Sequence, residues 1–293
     1  MTIVIAIPGS EEHAGKLASR LGVELVAPEL RRFPDGEIYV RLPRTDEHVI
    51  LCSSLYPAPA ERFMEVALIA DTARDLGARR VGLVAPYLAF MRQDVQFHPG
   101  EGVTARYFAK LVSGAVDYLV TVDPHLHRLS SLERIYTIPT AIAHAAPAIA
   151  DWVRREVRAP VLVGPDAESE QWVAAVAAAC DAPFEIFEKT RRGDRDVAVE
   201  PMGRVTSWAG RTPVLVDDIV STGKTMIAAT QKLRAAGAAP PVCVAIHAVF
   251  ADALGAELAA AGAAGIVTCN TIAHASNQIC VADAIAAATR AFL

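Results

Sequence analysis

The sequence predicts an α/β protein of two domains, each a mainly parallel sheet flanked by helices. Three observations lead there. Short apolar runs rich in Val and Ile alternate with longer segments rich in Ala and Leu. The apolar runs are continuous rather than alternating, so both faces of each sheet are covered, as in parallel sheets packed between helices. Such runs also number about twice what one doubly wound sheet usually carries.

In chain order, strands are expected at Ile3–Ile7, Val49–Cys52, Arg80–Ala85, Tyr118–Val122, Pro160–Gly164, Pro213–Val216, Val242–His247 and Gly265–Thr268. Helices are expected near Glu11–Leu21, Ala60–Leu76, Thr104–Val112, Ala141–Arg155, Glu168–Ala179, Thr225–Ala236 and Ala275–Ala288. "FPDGEIYVRLP" breaks the pattern: Gly36 makes a turn, and Glu37–Arg41 alternates like an exposed or edge strand. The division falls near Ala143, in the Ala-rich segment after "YTIPT", giving domains of residues 1–143 and 144–275.

Bulk composition narrows the function. With 53% hydrophobic and 21% charged residues the chain reads as globular, and its net charge of −5 gives no reason to expect nucleic acid. The five cysteines are odd in number, scattered, and form no C-x-x-C pair, which suits a reducing cytosol. "MTIVIAIPGS" lacks a basic leader, and no apolar run approaches membrane-spanning length, so a cytoplasmic, water-soluble protein is expected.

The most informative stretch is "TPVLVDDIVSTGKTM". A buried strand runs into Asp217 and Asp218, then into Ser221, Thr222, Gly223, Lys224 and Thr225 as a helix begins. Ligands gather at the carboxyl ends of parallel strands, and a helix N-terminus with small neighbours takes phosphate readily. A Walker loop would need glycine where Asp218 stands, and paired carboxylates repel a triphosphate. Carboxylates that accept from ribose hydroxyls, beside a loop that holds the 5-phosphate, fit a sugar phosphate better. The stretch resembles the phosphoribosyl-diphosphate loop shared by phosphoribosyltransferases and ribose-phosphate diphosphokinases, and alone it does not separate them.

Further segments resemble the diphosphokinase family. "RRFPDGEIYVRLP" is similar to its hairpin, which reaches across a subunit interface to bind adenine; this implies Phe33 stacking on the base, with Asp35, Gly36 and Glu37 beside it. "APYLAFMRQDVQFHPGEGVTARYFAKLV" resembles a second ATP segment, through Arg92, Gln93 and Asp94. "VTVDPHLHRL" resembles the Asp-x-His motif at nucleotide-bound Mg²⁺, implying Asp123 and His125; zinc on His125 and His127 stays open as an alternative. Asp166 of "VGPDAESEQW" matches the family's Pro-Asp metal position. "FEKTRRGDRDV" reads as a charged loop at the edge of a site, and the resemblance makes Lys189 and Arg191 catalytic. The closing segment, residues 276–293, resembles the family's C-terminal helix, which packs back on the first domain.

The resemblance therefore implies two phosphoribosyltransferase-like domains and transfer of the β,γ-diphosphate of ATP to the 1-hydroxyl of ribose 5-phosphate. It further implies a homo-oligomer, dimer or higher, whose ATP site is completed in trans. A regulatory paralogue that binds nucleotide and a phosphoribosyltransferase are the alternatives. Two positions depart from the family pattern. Lys224 stands where relatives often have a small residue, and Val95 where they commonly have Arg or Lys.

Overall fold

A computed structural model describes the backbone of residues 1–192, 196–201, 208 and 210–293, and the side chains of residues 1–187, 208 and 210–293. The chain begins β1 (Thr2–Ala6), α1 (Glu11–Leu21), β2 (Glu24–Val26), β3 (Glu29–Arg32), β4 (Ile38–Arg41), β5 (His48–Cys52) and α2 (Pro59–Asp75). It continues with β6 (Arg80–Ala85), α3 (Thr104–Ala115), β7 (Tyr118–Val122), β8 (Thr140–Ala143), α4 (Ala146–Glu156), β9 (Pro160–Gly164) and α5 (Glu170–Cys180). Then follow β10 (Phe184–Arg192), β11 (Asp196–Pro201), β12 (Thr212–Val220), α6 (Lys224–Ala235) and β13 (Val242–Ala248). The last elements are α7 (Leu254–Ala260), β14 (Gly265–Cys269), β15 (Asn277–Ile279) and α8 (Ala282–Thr289). Two compact units result: Met1–His144 with Ala282–Leu293, and Ala145–Val281.

The first unit holds a parallel sheet in the order β2-β1-β5-β6-β7-β8. Its inner strands are almost wholly buried, because Val, Ile and Leu point from both faces into helix layers. The chain leaves β1 in one direction through α1 and leaves β5 in the other through α2 and α3. Right-handed crossovers then set α1 on one face and α2 and α3 on the other. The C-terminal segment closes this unit: Asp283 pairs with Arg20, and the Phe292 ring stacks on Tyr118 at 4.3 Å. Strands β3 and β4 form a separate antiparallel hairpin, with Gly36 at φ 95° in its turn and Arg32 paired to Glu61 of α2.

The second unit holds a sheet in the order β11-β10-β9-β12-β13-β14-β15, parallel except for the β10–β11 pair. Val161, Val163 and Leu215 pack with Met226 and Leu233 of α6 and Leu258 of α7. Strand order reverses between β9 and β12. In open α/β sheets that reversal opens a crevice at the carboxyl ends, where ligands bind.

Several sequence expectations need correction. The helix expected over Ala141–Arg155 begins only at Ala146, because Thr140–Ala143 pairs with Leu119–Val122 and closes the sheet edge as β8. The helix expected from Ala275 likewise yields to β15 and starts at Ala282. Strand β12 does not stop at Val216; pairing of Asp217, Ile219 and Val220 with β13 carries it to Val220. The "FEKTRR" segment is a strand rather than a loop, with Lys189 opposite Val199 and Arg191 opposite Val197. Composition hid each of these, since alanine and charged residues favour helix or loop until a neighbouring strand pairs with them.

Candidate active site

In the second unit, the crevice between β9 and β12 gathers three carboxylates. Asp166 follows Gly-Pro at the end of β9, and its Oδ1 accepts from the Glu168 N–H at 3.1 Å. Gly164 is required just before it: a Cβ there would lie 2.5 Å from Ser169 Oγ and 2.6 Å from Ile186 Cδ1. Asp217 and Asp218 project from the last part of β12 and are tethered locally, Asp217 Oδ1 accepting from Asp218 N–H and Asp218 Oδ1 from Ile219 N–H. Asp166 is only 8% exposed and Asp218 only 3%. Burial, with Asp218 and Asp166 as like charges beside it, holds the Asp217 carboxyl well above the usual carboxylate range. Such a cluster stores repulsion that a bound cation or a hydroxyl-rich ligand relieves.

The loop that follows leads tightly into a helix N-terminus. Gly223 takes the left-handed conformation at φ 69°, and a Cβ there would come within 2.1 Å of Leu254 Cδ1, so glycine alone fits. Helix α6 starts at Lys224, one residue before the expected Thr225. Thr222, Lys224 and Thr225 are exposed, while Met226 anchors the first turn in the core. The first N–H groups of a helix have no partner within it and lie at its positive end.

In the first unit, the loops after β6 and β7 lie side by side. Met91 is buried and Phe90 packs on Phe108 at 4.7 Å, which leaves the Arg92 side chain exposed. Gln93 receives the Ala105 N–H on its carbonyl at 3.2 Å. Asp123 stands directly after β7 at φ 28°, a conformation non-glycine residues rarely adopt and one that clusters at functional sites. His144 Nδ1 donates to Asp123 Oδ1 at 2.8 Å, and this bond pushes the imidazole above its ordinary value. His125 and His127 meet edge to face at 3.8 Å. Asp94 does not point outward with Arg92; it is buried against Arg128.

On the β3–β4 hairpin, Phe33 is 40% exposed, and Asp35, Gly36 and Glu37 are also exposed. Asp35 Oδ1 accepts the Glu37 N–H at 3.1 Å, shaping the turn. The Arg31 guanidinium lies 4.0 Å from the Tyr39 ring centre and 4.9 Å from that of Phe33. The side chains of Lys189 and Arg191 lie outside the described residues.

Two family models match: the "N-terminal domain of ribose phosphate pyrophosphokinase" over residues 2–115, and the "phosphoribosyl transferase domain" over residues 131–283. The chain is 34% identical to the ribose-phosphate pyrophosphokinase of Methanopyrus kandleri, covering 98% of each chain. It is 32% identical to that of Sulfurisphaera tokodaii, covering 97% of each. The chain belongs to the ribose-phosphate pyrophosphokinase family. Its fold is also similar to the crystal structure of phosphoribosylpyrophosphate synthetase from Mycobacterium smegmatis, with a TM-score of 0.85 and 26% identity over 99% of this chain and 98% of that one. Ribose-phosphate pyrophosphokinases are phosphoryl-transfer enzymes that use ATP and ribose 5-phosphate, and such transfers generally employ a divalent metal. Among the described residues no helix is long and apolar enough to cross a membrane.

Sequence reading missed two side chains in the first unit. His144 was hidden inside an expected helix, and Arg128 sits 34 residues from the Asp94 it pairs with. Only the pairing of β8 with β7 brings His144 to Asp123.

Proposed function

We propose that this chain transfers the β,γ-diphosphate of ATP to the 1-hydroxyl of ribose 5-phosphate, releasing AMP and phosphoribosyl diphosphate. The observation that carries this reading is the carboxylate trio beside the Gly223 loop at the sheet reversal of the second unit. Asp217 and Asp218 accept from the ribose hydroxyls, while Ser221, Thr222, Gly223, Lys224 and Thr225 hold the 5-phosphate at the start of α6. Lys224 adds a cation to that grip where a small residue is common.

ATP is assigned to Arg92 and Gln93 and to Phe33, Asp35, Gly36 and Glu37 of a hairpin supplied by a second copy, so the active species is a dimer or larger. Arg92 serves as a fixed cation suited to phosphate or an aromatic face. Mg²⁺ is assigned to Asp123 and His125 in the first unit and, as a separate element, to Asp166 in the second. The oxygen-rich donor set suits a hard cation, and the repulsion around Asp217 calls for a counter-charge. When bound, a divalent ion would supply charge neutralisation at the phosphates. Lys189 and Arg191 cover the group in transit, and attack falls on the β-phosphorus in line with departing AMP. Such transfers rest on positioning and charge neutralisation.

The test is incubation with ATP, a magnesium salt and ribose 5-phosphate, followed by separation of nucleotides. AMP is expected, in an amount tied to ribose 5-phosphate and indifferent to added purine or pyrimidine bases. Bound nucleotide without AMP would point instead to a regulatory protein. Base-dependent release of diphosphate would point to a phosphoribosyltransferase.

A further inference from the structure

We propose that Asp94 and Arg128 form a strut that locks the loop after β6 to the loop after β7. On this view Asp94 positions Arg92 and Gln93 for the nucleotide and makes no contact with it. The inference rests on the ATP assignment above and deepens it.

Both carboxylate oxygens of Asp94 are engaged by one residue. Oδ1 accepts from the Arg128 guanidinium at 3.0 Å, and Oδ2 from the Arg128 backbone N–H at 3.3 Å. With Asp94 only 6% exposed, no carboxylate edge is left to address a ligand. A bidentate grip on side chain and main chain together fixes where the second loop sits, which a side-chain contact alone would not do.

The rest of the first loop is arranged around this pair. Phe97, three residues after Asp94, places its ring 5.1 Å beneath the same guanidinium, so Arg128 is held by a carboxylate and an aromatic face. Glu101 Oε2 accepts the N–H groups of both Phe97 and His98 at 2.9 Å, which closes the loop on itself. Gln93 is tied to the first turn of α3 through Ala105. The loop carrying Arg92 and Gln93 is thus braced by Glu101, by Ala105 and by Arg128, and the Arg128 brace reaches the neighbouring loop. That second loop, residues 123–128, carries Asp123 and His125. The strut therefore sets the spacing between the proposed nucleotide and metal groups of this unit.

A double-mutant cycle on the full chain decides the matter, using Asp94→Asn, Arg128→Ala, the pair together, and Arg128→Lys. Equilibrium ATP affinity and the KM and kcat for ATP would be measured, with a thermal melt to establish folding. Asp94→Asn and Arg128→Ala are each expected to weaken ATP binding and raise its KM by roughly 10- to 100-fold, the scale on which supporting partners act. The double variant should be no worse than either single one, and Arg128→Lys should recover part of the loss. If Asp94→Asn weakens ATP as much in the Arg128→Ala background as in wild type, Asp94 touches the nucleotide and the strut is wrong. Wild-type affinity in a folded Arg128→Ala together with a defective Asp94→Asn would overturn it equally. Absence of ATP turnover by the wild type would instead count against the functional reading, while non-additive melting of the same four variants would still show the brace.

Discussion

Replacing Lys189 with alanine is expected to lower kcat by about 10²–10³ while leaving the KM for ribose 5-phosphate close to the wild-type value. The reason is where charge moves. In the proposed site the sugar phosphate is gripped by the Gly223 loop and the aspartates of β12, which are present before and during the transfer. Lys189 is assigned to charge that develops only as the AMP oxygen departs, so its contribution belongs to the transition state. Steady-state kinetics with each substrate varied in turn check this. An unchanged kcat with a raised KM would place Lys189 among ground-state contacts instead.

Asp217→Asn has the second largest expected effect, and it acts on stability and activity in opposite directions. The folded-state pKa of Asp217 is raised by burial and by its neighbours Asp218 and Asp166. A carboxyl raised in this way favours the folded state most when protonated. Its contribution is fully present below the ordinary carboxylate value and is lost as pH rises through the elevated folded-state value. Above that elevated value the ligand-free wild type carries a repulsion that asparagine removes. The ligand-free variant should gain about 1 kcal/mol, or roughly 2–4 °C in melting temperature. Part of the fall in wild-type stability with rising pH should vanish as well. In the proposed site the same change removes a charged acceptor for a ribose hydroxyl, so KM for ribose 5-phosphate should rise about 10- to 100-fold. Thermal melts across pH and substrate titrations check both halves. A destabilised variant would mean that Asp217 holds the fold together rather than burdening it.

This opposition explains what the sequence made legible. Two adjacent aspartates at the end of a Val- and Leu-rich strand are poor for stability, so their presence in "VLVDDIVSTG" points to a ligand without any structure. The parallel sheets were legible for a related reason, since continuous apolar strands have to be covered on both faces. Less visible were features fixed by pairing between distant residues. Thr140–Ala143 reads as the start of an alanine-rich helix until β7 offers it an edge. Asp94 reads as one of three polar residues in a row until Arg128 folds over it. His144 carries no signal of its own, because its meaning comes from Asp123 across the strand ends. Local propensity and motif order therefore point to candidate ligand loops, whereas pairs such as Asp94–Arg128 and Asp123–His144 emerge from tertiary contacts.

The most direct trial of the account is to follow the γ-phosphorus of ATP with a radioactive label. Incubated with ribose 5-phosphate and Mg²⁺, the chain should pass the label to the sugar as part of an anomeric diphosphate, with AMP appearing in equal amount. Label carried to the sugar as a single phosphate, with ADP as the companion product, would contradict attack on the β-phosphorus and the site built around it.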